Sequence, residues 1–243
     1  MTLAPLAPDA ALARARVLVA GVGGLGAPAA AALAEAGVGT LGLVDPDVVE
    51  ISNLHRQPLY DDAAIGRPKV EAAAARLRAR HPGLAVEIRR GRLEDDPTLP
   101  ARYDVLVDGT DSIAAKFLAS DLAVLCRRPL VHAGVVGLRG QLLTIVPGES
   151  ACYRCLFEAP PPPGELVSCT EAGVLGPLPA LLGALQAAEV LRLVRGERPA
   201  FADRLLSIEP WRGTWRSVPL ARRPDCAACG TPLRGAATRS ETP

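Results

Sequence analysis

The feature that most restricts this chain is a glycine turn set between a strand and a helix. Arg16-Val-Leu-Val-Ala20 reads as a short buried strand, and Gly26 to Ala36 as a helix of small residues stopped by Gly37. Between them Gly21-Val-Gly23-Gly24-Leu-Gly26 fits G-x-G-x-x-G. Such glycines let the backbone turn tightly, and the helix start offers free amides and a positive dipole end to phosphate. A second strand, Thr40 to Val44, ends at Asp45, near the roughly 20-residue spacing of an acid that holds ribose hydroxyls. The pattern points to a nucleotide, and both NAD and ATP satisfy it. The bland alternative is a turn that only packs helix on strand, and Asp45 weighs against it.

The remaining pattern alternates. Lys69 to Arg80 reads as a helix closed by His81-Pro82-Gly83, and Val86 to Arg90 as a strand. Asp104 to Asp108 is a further strand, with a turn at Gly109 to Ser112 and a helix to about Cys126. Strands at Leu130 to Gly137 and Gly140 to Val146 follow, then a stiff proline stretch from Pro160 to Pro163. Ala172 to Arg195 reads as a long apolar helix broken near Gly176-Pro177, and Leu205 to Ile208 and Thr214 to Pro219 as late strands. This order predicts an α/β fold, a Rossmann-like doubly wound sheet, mainly parallel, with an antiparallel extension. The 243 residues divide into one expected domain over 1–230 and a frayed polar tail over 231–243.

Composition narrows the partners. Arginine and lysine total 27 against 26 acidic residues, and no long basic run argues for nucleic acid or an anionic membrane. Apolar runs break before the roughly 18 residues of a membrane span, and no secretory signal pattern opens the chain, so the expected location is cytoplasmic. Lys69 and Lys116 are the only lysines, which draws attention to both. Lys69 closes a long polar segment, Pro46 to Arg67, that has little periodicity and reads as a functional loop with a short helical turn. It contains Asp47, Ser52-Asn53-Leu54-His55-Arg56-Gln57 and Gly66-Arg67-Pro68 before Lys69. A hydride-transfer enzyme needs few cations here, whereas a departing pyrophosphate needs several. Arg56 can fork onto phosphate oxygens, and Lys69 at a helix start supplies a point charge.

These segments, in order with Gly109-Thr110-Asp111, closely resemble the MoeB/ThiF/HesA family, the bacterial relatives of ubiquitin-activating enzymes. The resemblance runs from about Arg16 to Gly230. It implies ATP-dependent adenylation of the C-terminal glycine carboxylate of a ThiS- or MoaD-like sulfur carrier ending in Gly-Gly, with release of pyrophosphate. It implies that the glycines at 21, 23, 24 and 26 back the nucleotide, that Asp45 holds the ribose, that Asn53, Arg56 and Lys69 bind the phosphates, and that Asp47 and Gln57 belong to the same nucleotide site. Asp111 would bind Mg²⁺, and Ser112 stands where the family usually has asparagine. A homodimer and a separate sulfur-donor protein are implied as well.

Four of six cysteines form two C-x-x-C pairs, Cys152/Cys155 and Cys226/Cys229. Each pair gives two thiolates from one turn, and together they make a closed tetrahedral Cys₄ set, a structural zinc clip that ties the C-terminal segment back. A redox pair or buried apolar thiols are the alternatives. Cys169, between the proline stretch and the long helix, is either a small buried residue or, by the resemblance, a site of covalent linkage to the carrier. Cys126 reads as core. His55 would orient Arg56 or lie at the surface, His81 marks a helix stop, His132 is a satisfied core histidine, and Lys116, about one helical turn past Asp111, lies on a solvated face or else faces the pocket. The family's arginine finger, carried well before the first strand, has no counterpart before Arg14, and Arg14 and Arg16 stand too near that strand to cross an interface. Two rival readings follow: a degenerate homologue that binds without efficient turnover, and, on the glycine turn alone, an NAD-linked oxidoreductase.

Overall fold

A computed structural model describes residues 9–162 and 173–230. Among them one eight-stranded sheet runs in the order β3-β2-β1-β4-β5-β6-β7-β8. The strands are β1 (Arg16–Ala20), β2 (Thr40–Asp45), β3 (Ala85–Arg90), β4 (Val105–Asp108), β5 (Leu130–Val136), β6 (Arg139–Ile145), β7 (Arg204–Glu209) and β8 (Thr214–Pro219). The first five pair in parallel. The last three are added antiparallel. The parallel half requires helical crossovers, and these supply the two covering layers.

The helices are α1 (Ala10–Arg14), α2 (Gly26–Glu35), α3 (Lys69–Arg80), α4 (Ile113–Cys126), α5 (Tyr153–Leu156) and α6 (Pro177–Val194). One face of the sheet packs Val17, Val19, Leu41, Leu43 and Val107 against α2, α3 and α6. The other packs Leu18, Leu106, Leu130 and Ile145 against Phe117 and Leu122 of α4 and against the cysteine segments. Strand residues alternate between the two layers with the period of two that a strand imposes. Edge strand β3 is largely exposed and carries Arg89 and Arg90, charges that discourage pairing with another chain.

The expected elements are present with ends shifted by a residue or two, and three local expectations are corrected. The long C-terminal helix begins at Pro177, because Val174 instead bridges Gly137 at the β5–β6 hairpin and Leu175 N–H donates to the Gly137 carbonyl. Proline at the first helical position then starts the helix. Helix α1 lies where none was expected; Asp9 caps it, accepting from the Ala11 and Leu12 amides, and also receives Arg195 Nε at 2.8 Å. Cys126 is half-buried rather than core. The tail over 231–243 and Cys169 lie outside the described residues.

By length and composition α6 would pass as a membrane span, but it is a core helix whose buried polar residues are bonded within the protein. Buried Glu189 accepts from Thr144 Oγ1 at 2.7 Å, Ala200 N at 3.0 Å and Phe201 N at 3.0 Å, pinning the 197–203 connection to β6. Truncating Glu189 strands three donors. Glu189→Ala is expected to cost about 3 kcal/mol, read as a lower urea midpoint at unchanged slope.

Candidate functional site

Beyond β1 the order turns left to β2 and β3, and beyond β4 it turns right to β5. Ligands of open α/β sheets bind in the crevice at the strand ends where the order reverses. The turns leaving β1, β2 and β4 all open there, and they carry the glycines, Asp45 and Asp111.

The first and third turns are in backbone contact. A Cβ on Gly26 would stand 1.8 Å from the Gly21 carbonyl oxygen, and one on Gly109 would stand 2.6 Å from the same atom. Gly109 N–H donates to the Ala20 carbonyl at 2.8 Å, and Gly21 N–H to that of Val44 at 2.7 Å. Gly23 and Gly24 are different: a Cβ on Gly23 would meet Gln57 Nε2 at 3.7 Å, and one on Gly24 would lie close against Pro179 of α6 at 3.3 Å and face Arg56 Cδ at 3.7 Å. The structure thus brings the expected phosphate segment over the glycine turn, separated by about 30 residues of chain.

Asp45 is buried, and both carboxylate oxygens are engaged. One accepts the Val22 amide at 2.7 Å and the other the Asp47 amide at 2.9 Å. Burial raises its pKa, opposed by Lys69 and by those two amides. A carboxylate offers about four acceptor positions, so capacity for hydroxyl donors remains. Tyr60, which sequence reading did not single out, donates its hydroxyl to the Val22 carbonyl at 2.7 Å and fixes the same turn from above. Burial pushes its phenol up, keeping it a neutral donor.

The polar segment is a closed loop. Its base is sealed by Val49 N–H to Arg67 O, Gly66 N–H to Val49 O and Lys69 N–H to Asp47 O, each 2.9 Å. Within it, Ile51–Arg56 and Asp62–Ala64 are 3₁₀ turns. Buried Asn53 donates to Ser52 Oγ at 3.2 Å. Arg56 is half-exposed; its Nη1 donates to the Ser52 carbonyl at 3.0 Å and lies 3.4 Å from His55 Nε2, so His55 does flank it. Gln57 is buried, and its Oε1 has no partner among the described residues. Lys69 is buried with Nζ 2.8 Å from Asp47, whose carboxylate is exposed.

At the third turn Asp111 is exposed. Ser112 is the N-cap of α4, its Oγ accepting the Ala115 amide at 3.2 Å, a task that serine and asparagine perform about equally well. Lys116 overturns the expectation of a solvated face. It is buried, with Nζ 2.7 Å from the Thr110 carbonyl, 2.7 Å from that of Ala133 and 3.4 Å from Asp108 Oδ2. Asp108 also accepts from Thr110 N and Oγ1 and from His132 Nδ1 at 2.7 Å. Burial would raise the Asp108 carboxyl, but Lys116, His132 and Thr110 outweigh it and hold it low. Burial lowers His132, which is therefore a neutral core imidazole, as expected. Gln186 of α6 completes the floor, donating to the Asp108 and Val131 carbonyls at 2.8 and 3.0 Å. The scarcity of lysine and the place of Lys116 one turn past Asp111 were the signals that pointed toward this cluster.

The four paired cysteines meet. Cys152 and Cys155 flank the start of α5, and Cys226 and Cys229 follow β8. All four sulfurs lie within 4.8 Å of one another, with Cys152–Cys226 at 3.6 Å and Cys155–Cys229 at 3.4 Å. A tetrahedral thiolate site with metal–sulfur bonds of about 2.3 Å requires sulfurs about 3.8 Å apart, so the set fits a metal ion. Burial raises the Cys226 thiol, but the Cys229 and Ala228 amides and the neighbouring cysteines draw it down to about 7.

Fold and site together define a doubly wound α/β domain with a glycine-lined crevice at its switch point and a metal-capable thiol clip. The family model of ThiF matches residues 3–228, and the chain belongs to the ThiF family. It is 47% identical over 222 residues to the adenylyltransferase and sulfurtransferase MOCS3 of Bos taurus, covering 90% of this chain and 49% of that protein. It is 42% identical over 226 residues to the sulfur carrier protein adenylyltransferase of Thermus thermophilus, covering 90% of this chain and 83% of that protein. To the SAMP-activating enzyme E1 of Haloferax volcanii it is 42% identical over 221 residues, covering 90% and 82%. The chain spans about half the length of the MOCS3 relatives it matches. Escherichia coli MccB, solved with ATP, shares the fold at a TM-score of 0.79 and 24% identity, over 90% of this chain and 68% of that one.

The contact between the turns yields a contrast. Gly26→Ala is expected to lose about 3 kcal/mol or more of stability from its clash with Gly21, whereas Gly23→Ala, which would make only an ordinary contact with Gln57 Nε2 at 3.7 Å, stays within about 1 kcal/mol. Denaturant melts of the two variants check this.

Proposed function

We propose that this chain is an ATP-dependent adenylyltransferase that activates the C-terminal glycine carboxylate of a ubiquitin-like sulfur-carrier protein. The observation that carries the reading is the convergence of the glycine turn, Asp45, the Arg56–Gln57 segment, Lys69 and Asp111 at one switch point, in a member of the ThiF family. The names of the relatives, a sulfur carrier protein adenylyltransferase and a SAMP-activating enzyme among them, support the same class.

The glycine turn and the start of α2 receive the phosphates, and Asp45 receives the ribose hydroxyls. The carrier's carboxylate oxygen attacks the α-phosphorus while the bond to the β-phosphate breaks, so that an acyl-adenylate forms and pyrophosphate leaves. Negative charge grows on the leaving group. Arg56, with most of its guanidinium donors uncommitted, and Lys69 answer that charge, and the Gln57 amide Nε2 faces the glycine turn. Asp111 would hold Mg²⁺, which when bound supplies further charge neutralisation at the phosphates. The four cysteines would hold structural zinc, and the enzyme would act in the cytoplasm, where such thiols stay reduced. It would do so as a homodimer supplied by a separate sulfur donor.

Carrier-dependent exchange of pyrophosphate into ATP tests the reading. Wild-type protein should exchange only with a Gly-Gly-ending carrier, and Arg56→Ala should lower the rate by about 10²-fold without changing the melting temperature. Tight ATP binding with no exchange would establish a binding-only homologue instead.

The clip has its own test. The purified protein should release one zinc ion per chain on denaturation, and Cys226→Ser should abolish most of that content and lower the melting temperature. Absence of zinc from protein with all thiols reduced would remove the clip from the assignment.

A further inference from the structure

We propose that Lys116 is a positioning residue: its buried ammonium clamps the Gly109–Asp111 turn to β5 and thereby sets where Asp111 presents its carboxylate. The inference rests on the function proposed above and concerns a residue that makes no contact with nucleotide in that scheme.

Lys116 lies in the first turn of α4, and its side chain runs back toward the helix start, the direction helical geometry favours. An ammonium has three N–H donors. Here three acceptors receive them: Thr110 O at 2.7 Å, Ala133 O at 2.7 Å and Asp108 Oδ2 at 3.4 Å. No donor remains for phosphate. Lys116 therefore differs from Lys69, although both are buried lysines beside the crevice.

What Lys116 does hold is Thr110, and Thr110 is held from both sides. Its amide and hydroxyl donate to Asp108 Oδ1 at 2.9 and 2.6 Å, while its carbonyl accepts from Lys116. Gly109, one residue earlier, is wedged against Gly21 and Gly26. The backbone up to Asp111 is thus fixed by the glycine turn on one side and by β5, through Ala133, on the other. Asp111 itself is exposed, and its carboxylate has no partner among the described residues. A rigid backbone bearing a free carboxylate is what a divalent-cation ligand requires, since a small displacement of such a group weakens the site sharply.

Removing Lys116 alone would leave the Asp108 charge buried and unpaired, with a large loss of stability. The informative variant is therefore the double substitution Lys116→Met with Asp108→Asn, which removes both charges together with the clamp. The readout is Mn²⁺ affinity in the presence of a non-hydrolysable ATP analogue, followed by electron paramagnetic resonance of the free ion, beside nucleotide affinity in EDTA. The expected result is at least a tenfold weaker Mn²⁺ affinity, with nucleotide affinity in EDTA within about twofold of wild type. Thr110→Val, which keeps the ion pair and removes only the hydroxyl bond, should weaken Mn²⁺ by about threefold. It carries the test if the double variant does not fold. Unchanged Mn²⁺ affinity in a folded variant, or an equal loss of metal-free nucleotide affinity, would overturn the proposal. If wild-type protein binds Mn²⁺ and nucleotide but supports no carrier-dependent exchange, the reaction class fails while the positioning role of Lys116 is still decided by the variants.

Discussion

The crevice exists because two backbone turns touch with no side chain between them. Gly21 and Gly26 on one turn and Gly109 on the other let β1 and β4 leave the sheet side by side, and any Cβ at Gly26 or Gly109 would lie well inside contact distance. Other features of the site lean on that contact. Asp45 binds the amide that follows Gly21, Tyr60 binds the carbonyl of the same residue, Val22, and Asp108 with Lys116 braces the turn that follows Gly109. A flexible glycine loop would gain nothing from such bracing. This one is over-determined, which offsets the conformational entropy that glycine brings to the unfolded chain.

The antiparallel half of the sheet has a different origin. Parallel strands need helical crossovers, and the chain spends most of its first 130 residues on them. From β5 onward the added strands are antiparallel, β5–β6 and β7–β8 as neighbours in the chain, and α6, between β6 and β7, covers the same face as α2 and α3. On the opposite face the cysteine segments pack with Phe117, Leu122 and Tyr153 as part of the core. Arg154 grips Asp121 with two bonds of 2.7 and 2.8 Å, fastening α5 to α4. The thiol clip therefore anchors onto the helix whose first turn carries Lys116, so the two regions share one element.

Much of this was legible in the sequence where local chemistry and tertiary packing agree. Lys69–Arg80 shows helical periodicity with a proline before it and His81-Pro82 after it, and its ends are as read. The β1–glycine–α2 unit is equally explicit. The failures occur where a long-range contact decides. Val174 pairs with Gly137, so residues 173–176 stay outside the helix, which starts at the break read near Gly176-Pro177. Helix α1 is only five residues long and is held by the Asp9 cap, by buried Leu12 and by Asp9 meeting Arg195 from almost the other end of the chain. Lys116 reads as surface because helix-face patterning cannot show that three oxygens, one of them from β5, converge on its ammonium.

The charges around the crevice divide by whether they are already answered. Lys69 has Asp47 at 2.8 Å, and Lys116 has Asp108 and two carbonyls. Both ammonium groups are buried, where an unpaired charge would be costly. Arg56 is half-exposed and is held through the Ser52 carbonyl and the flanking His55, with no carboxylate beside it. Asp111 is likewise exposed without a partner among the described residues. Solvent sustains these two charges in the free protein, and one cation and one anion left open at the same strand ends are complementary to a metal–nucleotide complex that carries both signs. The buried contacts hold the crevice walls in place, and Arg56 and Asp111 are the charges left open to solvent. Pairing Arg56 and Asp111 with each other would satisfy the electrostatics and abolish the site, and their separate elements, the loop after β2 and the turn after β4, keep them apart.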